Sequence, residues 1–376
     1  LNMPQLLQAL NDQSPRVVKY IIKHIKEIID IAIGRTTPIE QKEQKQCINI
    51  LTKSPVIKDN FYKSPDLINY LAESFNDDDL NYSPALNLFQ SVIDLSSGSA
   101  LAFLTDSSSF FQILLKLLPS PSVKSFLIEF FSHSHKPVVK WLIDIDADKF
   151  LYPLLFDEEP KVCCSLQLLI KLVSILPPES EPMKRIVSNE SLLQIFNTGV
   201  DAPTIEVAYG SFQLLVTVCN NCDEKEDFEK VIEFLQTKSS QICKCLNSRG
   251  DFTKDKRVLC ELLNSIIFAS QTVPSEISET VSILFDNFFK YSTNSFLHLS
   301  FLKIFQSLSE IKEGFLAFIS SQKVVDRLLE IEGKREEITA SFWGILTEME
   351  LILKETVKDN DEWTNFVKDT LMPRKE

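Results

Sequence analysis

The chain has 376 residues, 44% of them hydrophobic, with 27 Phe and only 8 Gly. So little glycine argues against a doubly wound or barrel enzyme, which needs it for tight turns and phosphate approach, and predicts an all-α protein with ring-filled seams between helices. A net charge of −13 and a pI near 5.0 exclude nucleic acid and anionic membrane surfaces as partners, since both are held by clustered Lys and Arg.

No apolar run reaches the roughly 18–20 residues that span a bilayer. Leu1 to Ser14 lacks a basic region followed by an apolar stretch. With 8 cysteines in no regular spacing, the sequence reads as a cytoplasmic protein with reduced thiols, the nucleus being a second compartment open to it.

In chain order, the clearest punctuation is a hydroxyl residue before proline: Ser14-Pro15, Thr37-Pro38, Ser64-Pro65, Ser83-Pro84 and Ser120-Pro121. A hydroxyl at the N-cap with Pro in the first helical position is a helix start, because Pro lacks an N–H that would be unpaired there anyway. Lys136-Pro137, Glu159-Pro160, Ala202-Pro203 and Val273-Pro274 continue the pattern. Intervals of about 20 residues match one helix plus its connection, which predicts a right-handed α-solenoid of HEAT/armadillo-like helical hairpins. The Ser-Pro and Thr-Pro pairs also fit proline-directed kinases, although capping accounts for their regular placement.

Between these marks the apolar spacing is helical, as in Phe110, Ile113, Leu114, Leu117 and Leu118, then Val123, Phe126, Leu127 and Phe130. Asn76 to Asp79 and Cys222 to Asp227 read as acidic loops. Pro177 to Pro182 reads as a bend within one helical-repeat domain over residues 1–376, since consecutive prolines cannot continue a helix. A last long helix is expected from about Glu336 to Lys358 on Ile338, Phe342, Ile345, Leu346, Met349 and Leu353, followed by a short one anchored by Trp363 and Phe366.

Motifs for chemistry are few. Asp144-Ile145-Asp146-Ala147-Asp148 imitates half a calcium loop, but Lys149 stands where glycine must turn and Leu155 where the bidentate glutamate should be. His133-Ser134-His135 lacks a nearby Cys to complete a metal set. Cys219, Cys222, Cys243 and Cys245 approach a zinc spacing, yet one residue separates the second pair and a helix would point those thiols apart. With 4 His and no nucleophile elbow or phosphate loop, no catalytic role, no metal and no cofactor are expected.

The most specific segment is 284–305. Phe285, Phe288 and Phe289 share one helix face, Lys290 closes that helix, Ser292, Thr293 or Asn294 caps the next, and a second apolar face begins at Phe296. The string Phe288-Phe289-Lys290-Tyr291, then Asn294, then Phe296-Leu297-His298, resembles the SAPS-domain family, the phosphatase-associated regulatory subunits of protein phosphatase 6. Further segments are similar in the same order: Leu80 to Phe89, Ala102-Phe103-Leu104, Phe110 to Leu118, Ser125 to Leu142, Phe342 to Leu346 and Trp363 to Val367. The resemblance spans roughly residues 55–370 and departs at Ile345, where the family has histidine, and over 224–270, which is shorter and less alike.

The resemblance implies a non-catalytic regulatory subunit that binds a type-2A-like serine/threonine phosphatase catalytic subunit and directs it to substrates, with ankyrin-repeat proteins as further regulatory partners. The exposed turn of the hairpin nominates Lys290, Tyr291, Asn294 and His298 as partner-binding residues; Tyr291 and His298 are also placed to lock the hairpin, and Trp141 reads as a packed anchor. Acidic charge and repeats alone equally suit another α-solenoid adaptor, a transport receptor or vesicle-coat component.

Overall fold

In a computed structural model of the chain, every regular element among the described residues is helical and none is a strand. The structure describes residues 8, 10, 12, 14–35, 41–77, 79–222, 225–248, 250–270 and 272–375. They form two compact units, Leu1–Arg185 and Ile186–Glu376, and in each the helices stack as HEAT/armadillo-like hairpins, the α-solenoid class expected from the sequence.

The first unit runs through α1 (Pro15–Lys23), α2 (Ile25–Ile33), α3 (Gln41–Lys53), α4 (Pro55–Tyr62), α5 (Pro65–Glu73) and α6 (Tyr82–Ser96). It continues through α7 (Ser107–Lys116), α8 (Pro121–Phe130), α9 (Lys136–Asp144), α10 (Ala147–Leu151), α11 (Glu159–Ile175) and α12 (Glu181–Ile186), whose last residue opens the second unit. Pro opens α1, α5 and α8 as the sequence predicts, and Ser54-Pro55 adds a start at α4 that the spacing did not single out.

The capping chemistry differs from expectation. The hydroxyls of Ser14, Ser54, Ser64 and Ser120 make no cap hydrogen bond, so the fixed φ of Pro sets these starts. Ser83-Pro84 lies inside the first turn of α6, which Asn81 caps by accepting the Ser83 N–H at 3.2 Å. Thr37-Pro38 falls outside the described residues.

The core of this unit is a chain of rings. Phe89 meets Phe110 at 4.9 Å between centroids, Phe75 meets Phe110 at 5.7 Å, and Phe130 meets Trp141 at 5.5 Å. Edge-to-face pairs in this range add to simple burial. Trp141 is the expected anchor, buried with its indole N–H donating to Ser107 Oγ at 2.9 Å.

The calcium-like run proves to be a guanidinium clamp. Arg185 donates to Asp148 at 2.7 and 2.8 Å and to Asp146 at 2.6 Å, while Lys149 donates to Asp146 at 2.8 Å. Lys149 and then Arg185 hold the Asp146 carboxyl below its ordinary value, and the acid pair raises that of Arg185. His133 is likewise taken up locally, 2.8 Å from Gln90 Nε2 and stacked on His135.

The second unit contains α13 (Asn189–Val200), α14 (Ile205–Asn221), α15 (Lys225–Thr237), α16 (Ser239–Asn247), α17 (Lys254–Ala269) and α18 (Ser275–Lys290). Then follow α19 (Ser295–Glu310), α20 (Lys312–Ser321), α21 (Val324–Glu332), α22 (Trp343–Thr356), α23 (Asp361–Phe366) and α24 (Met372–Lys375). Helices α14, α17, α19 and α22 pack side by side in that order, and α16 packs on α18.

Two boundaries move. Glu226 and Asp227 belong to the first turn of α15, where acids suit the exposed N–H groups, rather than to an acidic loop. The expected 336–358 helix begins only at Trp343. Residues 333–342 turn instead, because Ser341 N–H donates to Ser292 O at 2.9 Å and the buried Phe342 ring sits 5.3 Å from Phe288.

The Cys219 thiol is buried and pushed up to about 12 by that burial, and Cys243 is also buried. Among the described residues no group of three or more His, Cys, Asp or Glu is arranged to hold a metal, and no helix is long and apolar enough to cross a membrane.

Gly98 has φ +82°, and a Cβ there would lie 2.6 Å from Val138 Cγ2. Gly98→Ala combines left-handed strain with overpacking, and urea unfolding is expected to show a loss of about 1–3 kcal/mol.

Candidate functional site

The site is built on the α18–α19 hairpin. Phe285 and Phe288 of α18 and Phe301 and Phe305 of α19 are fully buried. Their rings interlock, with Phe285 5.5 Å from Phe301 and Phe288 5.7 Å from Phe301. Arg327 covers the outer edge, its guanidinium 4.3 Å from the Phe285 centroid and hydrogen-bonded to Asp286 at 2.8 Å. A cation over a ring shielded in this way contributes more than one in open solvent.

The turn follows from local chemistry. Lys290 is the last residue of α18, exposed, with Nζ 5.3 Å from the Tyr291 ring centroid. Of the three cap candidates the structure uses Asn294, whose Oδ1 accepts the Leu297 N–H at 3.1 Å while its Nδ2 donates to Phe252 O at 3.4 Å. The turn is therefore tied both to its own helix and to the segment preceding α17.

His298 requires a correction. It is 0% exposed, with Nε2 3.0 Å from Phe288 O, so that nitrogen carries the proton and donates. Its ring lies 4.7 Å from Phe288 and 5.4 Å from Phe342, and Nδ1 faces Ser341 Oγ at 3.4 Å. Burial holds its pKa below the ordinary value against the pull of the Phe288 and Tyr291 carbonyls. His298 thus bolts α18 to α19 from inside and cannot touch a partner without unpacking the seam. Lys290, Tyr291 and Asn294 remain at or near the surface.

The apolar face of α19 begins at Leu297, not at Phe296 as the sequence suggests, and Phe296 belongs to an outward face that the sequence reading missed. Phe296 is 62% exposed and Leu299 52%, one turn apart. The interior positions Leu297, Phe301, Ile304, Phe305 and Leu308 place residues 296, 299 and 303 on the opposite side, so the periodicity did contain this signal. Arg257 of α17 stands 5.7 Å over the Phe296 ring, and one turn earlier Lys254 pairs with Glu206 at 2.9 Å and lies 5.2 Å from the Tyr209 ring. The first turns of α14, α17 and α19 therefore form one surface of rings and cations, with apolar Phe296 and Leu299 left uncovered.

A cleft of 450 Å³ opens beside this surface, lined by Val200, Ile205, Ala208, Phe212 and Leu259 with Lys244 at its rim. No arrangement of nucleophile, base and orienting acid accompanies it among the described residues.

No protein-family model matches the chain, and no curated protein matches it. Among solved structures it is similar to two engineered proteins. One is 14% identical over 77% of this chain and 97% of the other, with a TM-score of 0.41. The second is 14% identical over 80% and 98%, with a TM-score of 0.36. It is also similar to a designed armadillo repeat protein in complex with the peptide (KR)4, 15% identical over 68% of this chain and 99% of that one, with a TM-score of 0.36. Likeness of this degree carries no functional information.

Two outcomes follow for the hairpin. Asn294→Ala removes a cap and a tie to Phe252, and chemical denaturation is expected to show a loss of about 1 kcal/mol. Because His298 is held neutral below its ordinary pKa, its contribution is complete above that value and lost on acidification. Wild-type stability should fall from neutral pH toward pH ~5 more steeply than that of His298→Gln, as read by melting temperature across that range.

Proposed function

We propose that this chain is a non-catalytic, protein-binding subunit, and that its partner is the catalytic subunit of a type-2A-like, phosphatase 6-type, serine/threonine phosphatase. The carrying observation is the outward face of α19, where two large apolar side chains are more than half exposed on a hairpin otherwise fixed from inside. The choice of phosphatase rests on the resemblance of residues 288–298 to the SAPS-domain family.

In this reading Phe296 and Leu299 are the apolar anchors. Burying each against a partner contributes at most about 1.5–3 kcal/mol. Lys290, Tyr291 and Asn294 border them with polar contacts, and His298 keeps the turn in register from behind. The rigid hairpin lowers the ordering cost of association. The net charge of −13 steers basic partner segments, with an attraction that weakens as salt screens it.

Pull-down with the phosphatase catalytic subunit tests this. Phe296→Ser with Leu299→Ser should lower capture at least about tenfold while leaving the melting temperature within a few degrees of wild type. Failure to retain any type-2A-like catalytic subunit of the source cell rejects the phosphatase reading, and capture of a small GTPase or coat subunit in its place supports the adaptor alternative.

A further inference from the structure

Away from the hairpin, the second unit buries a carboxylate that nothing in the proposed function uses. Glu350 of α22 is 0% exposed, no donor among the described residues reaches either of its oxygens, and the side chain it meets is that of Glu332. Beside it Glu332, the last residue of α21, is also buried but well supplied. Arg335 donates to Glu332 at 2.6, 3.0 and 3.1 Å, and Arg374 donates at 2.7 Å.

The donors are therefore spent on one acid of the pair. Arg335 is also held over the Trp343 ring at 4.6 Å, which fixes its direction. Among the described residues the charged groups acting on Glu350 are Glu332 from α21, Arg335 from the following turn and Arg374 from the closing segment; α19 and the Val367–Leu371 turn, which pack against α22, add none. Two adjacent carboxylates in an interior cannot both be ionised without a donor for each.

The closing segment comprises α23, a wider turn at Val367–Leu371 and the four-residue α24 that carries Arg374. It is seated by Trp363, which is buried, and by Leu371. Among the described residues, the charged attachment of this segment to α21 is the Arg374–Glu332 bond.

We propose that Glu350 and Glu332 form a proton-linked latch that fastens the Asp361–Lys375 segment to α21 and α22. With a proton on Glu350, its O–H donates to the Glu332 carboxylate, and the pair carries one negative charge beneath two guanidiniums. When that proton leaves to solvent, Glu350 becomes a second buried anion with no donor. Water supplies one only if the segment bearing Arg374 lifts, so the latch opens as pH rises.

Burial first, and the Glu332 charge second, push the Glu350 carboxyl up to about 8. Hydrogen bonds from Arg335 and Arg374 hold Glu332 below its ordinary value, against burial. Because the Glu350 value is raised on folding, its contribution is complete below the ordinary carboxylate range and lost as pH climbs toward about 8. The opening therefore falls at mildly alkaline pH.

Amide hydrogen exchange on the 376-residue chain, corrected for intrinsic rates, tests the latch at pH near 6.5 and near 9. In wild type, protection across 361–375 should fall at least about tenfold at the higher pH while α22 stays protected. Glu350→Gln, whose amide donates to Glu332 at either pH, should keep the segment protected throughout, and Arg374→Leu should leave it open at both. A pH response in Glu350→Gln equal to wild type overturns the proposal, as does loss of protection in α22 together with the segment.

Discussion

The packing of phenylalanine rings between neighbouring helices is the constraint on which the second unit depends. Phe285, Phe288, Phe301 and Phe305 are removed from water entirely, and Phe342 joins them from a turn rather than from a helix. Once those rings are placed, the neighbouring choices follow. Arg327 caps the open edge of the seam, His298 gives its one N–H to the Phe288 carbonyl, and Ser341 ties residues 333–342 down beside Ser292. An interior filled this tightly leaves its polar groups few alternatives.

The same constraint decides what stays outside. With residues 297, 301, 304, 305 and 308 turned inward, Phe296 and Leu299 stay more than half exposed, Phe296 beneath the Arg257 guanidinium. In the proposed function, that helix, fixed on one side and apolar on the other, is the face that meets the partner. At the far end of the unit the logic is reversed. There the interior holds charge, and two arginines concentrate on Glu332 while Glu350 depends on a proton. One end of the unit is set by shape and the other by titration.

Much of this was legible in the sequence. Proline starts, helical apolar spacing and the absence of strand alternation fixed the class, because each acts within one turn of chain. What was hidden depends on residues far apart in sequence. The break over 333–342 comes from a bond between Ser341 and Ser292, and the clamp on Asp146 and Asp148 comes from Arg185. The serines before proline made no caps, since their hydroxyls had no need to act once Pro set the backbone. His298 follows a polar turn, so the sequence offered it both to a partner and to the hairpin lock; its burial against Phe288 and Phe342 leaves the lock. Glu350 could have been found, for it stands four residues after Leu346 and three before Leu353, on the buried stripe of α22.

The most direct test of the seam compares Phe288→Ala with Phe296→Ala by urea unfolding. The account predicts a loss of about 3–5 kcal/mol for Phe288→Ala, with the cavity left at the meeting of α18, α19 and Phe342, and a change within about 0.5 kcal/mol for Phe296→Ala. Equal losses for the two, or a larger one for Phe296→Ala, would contradict it.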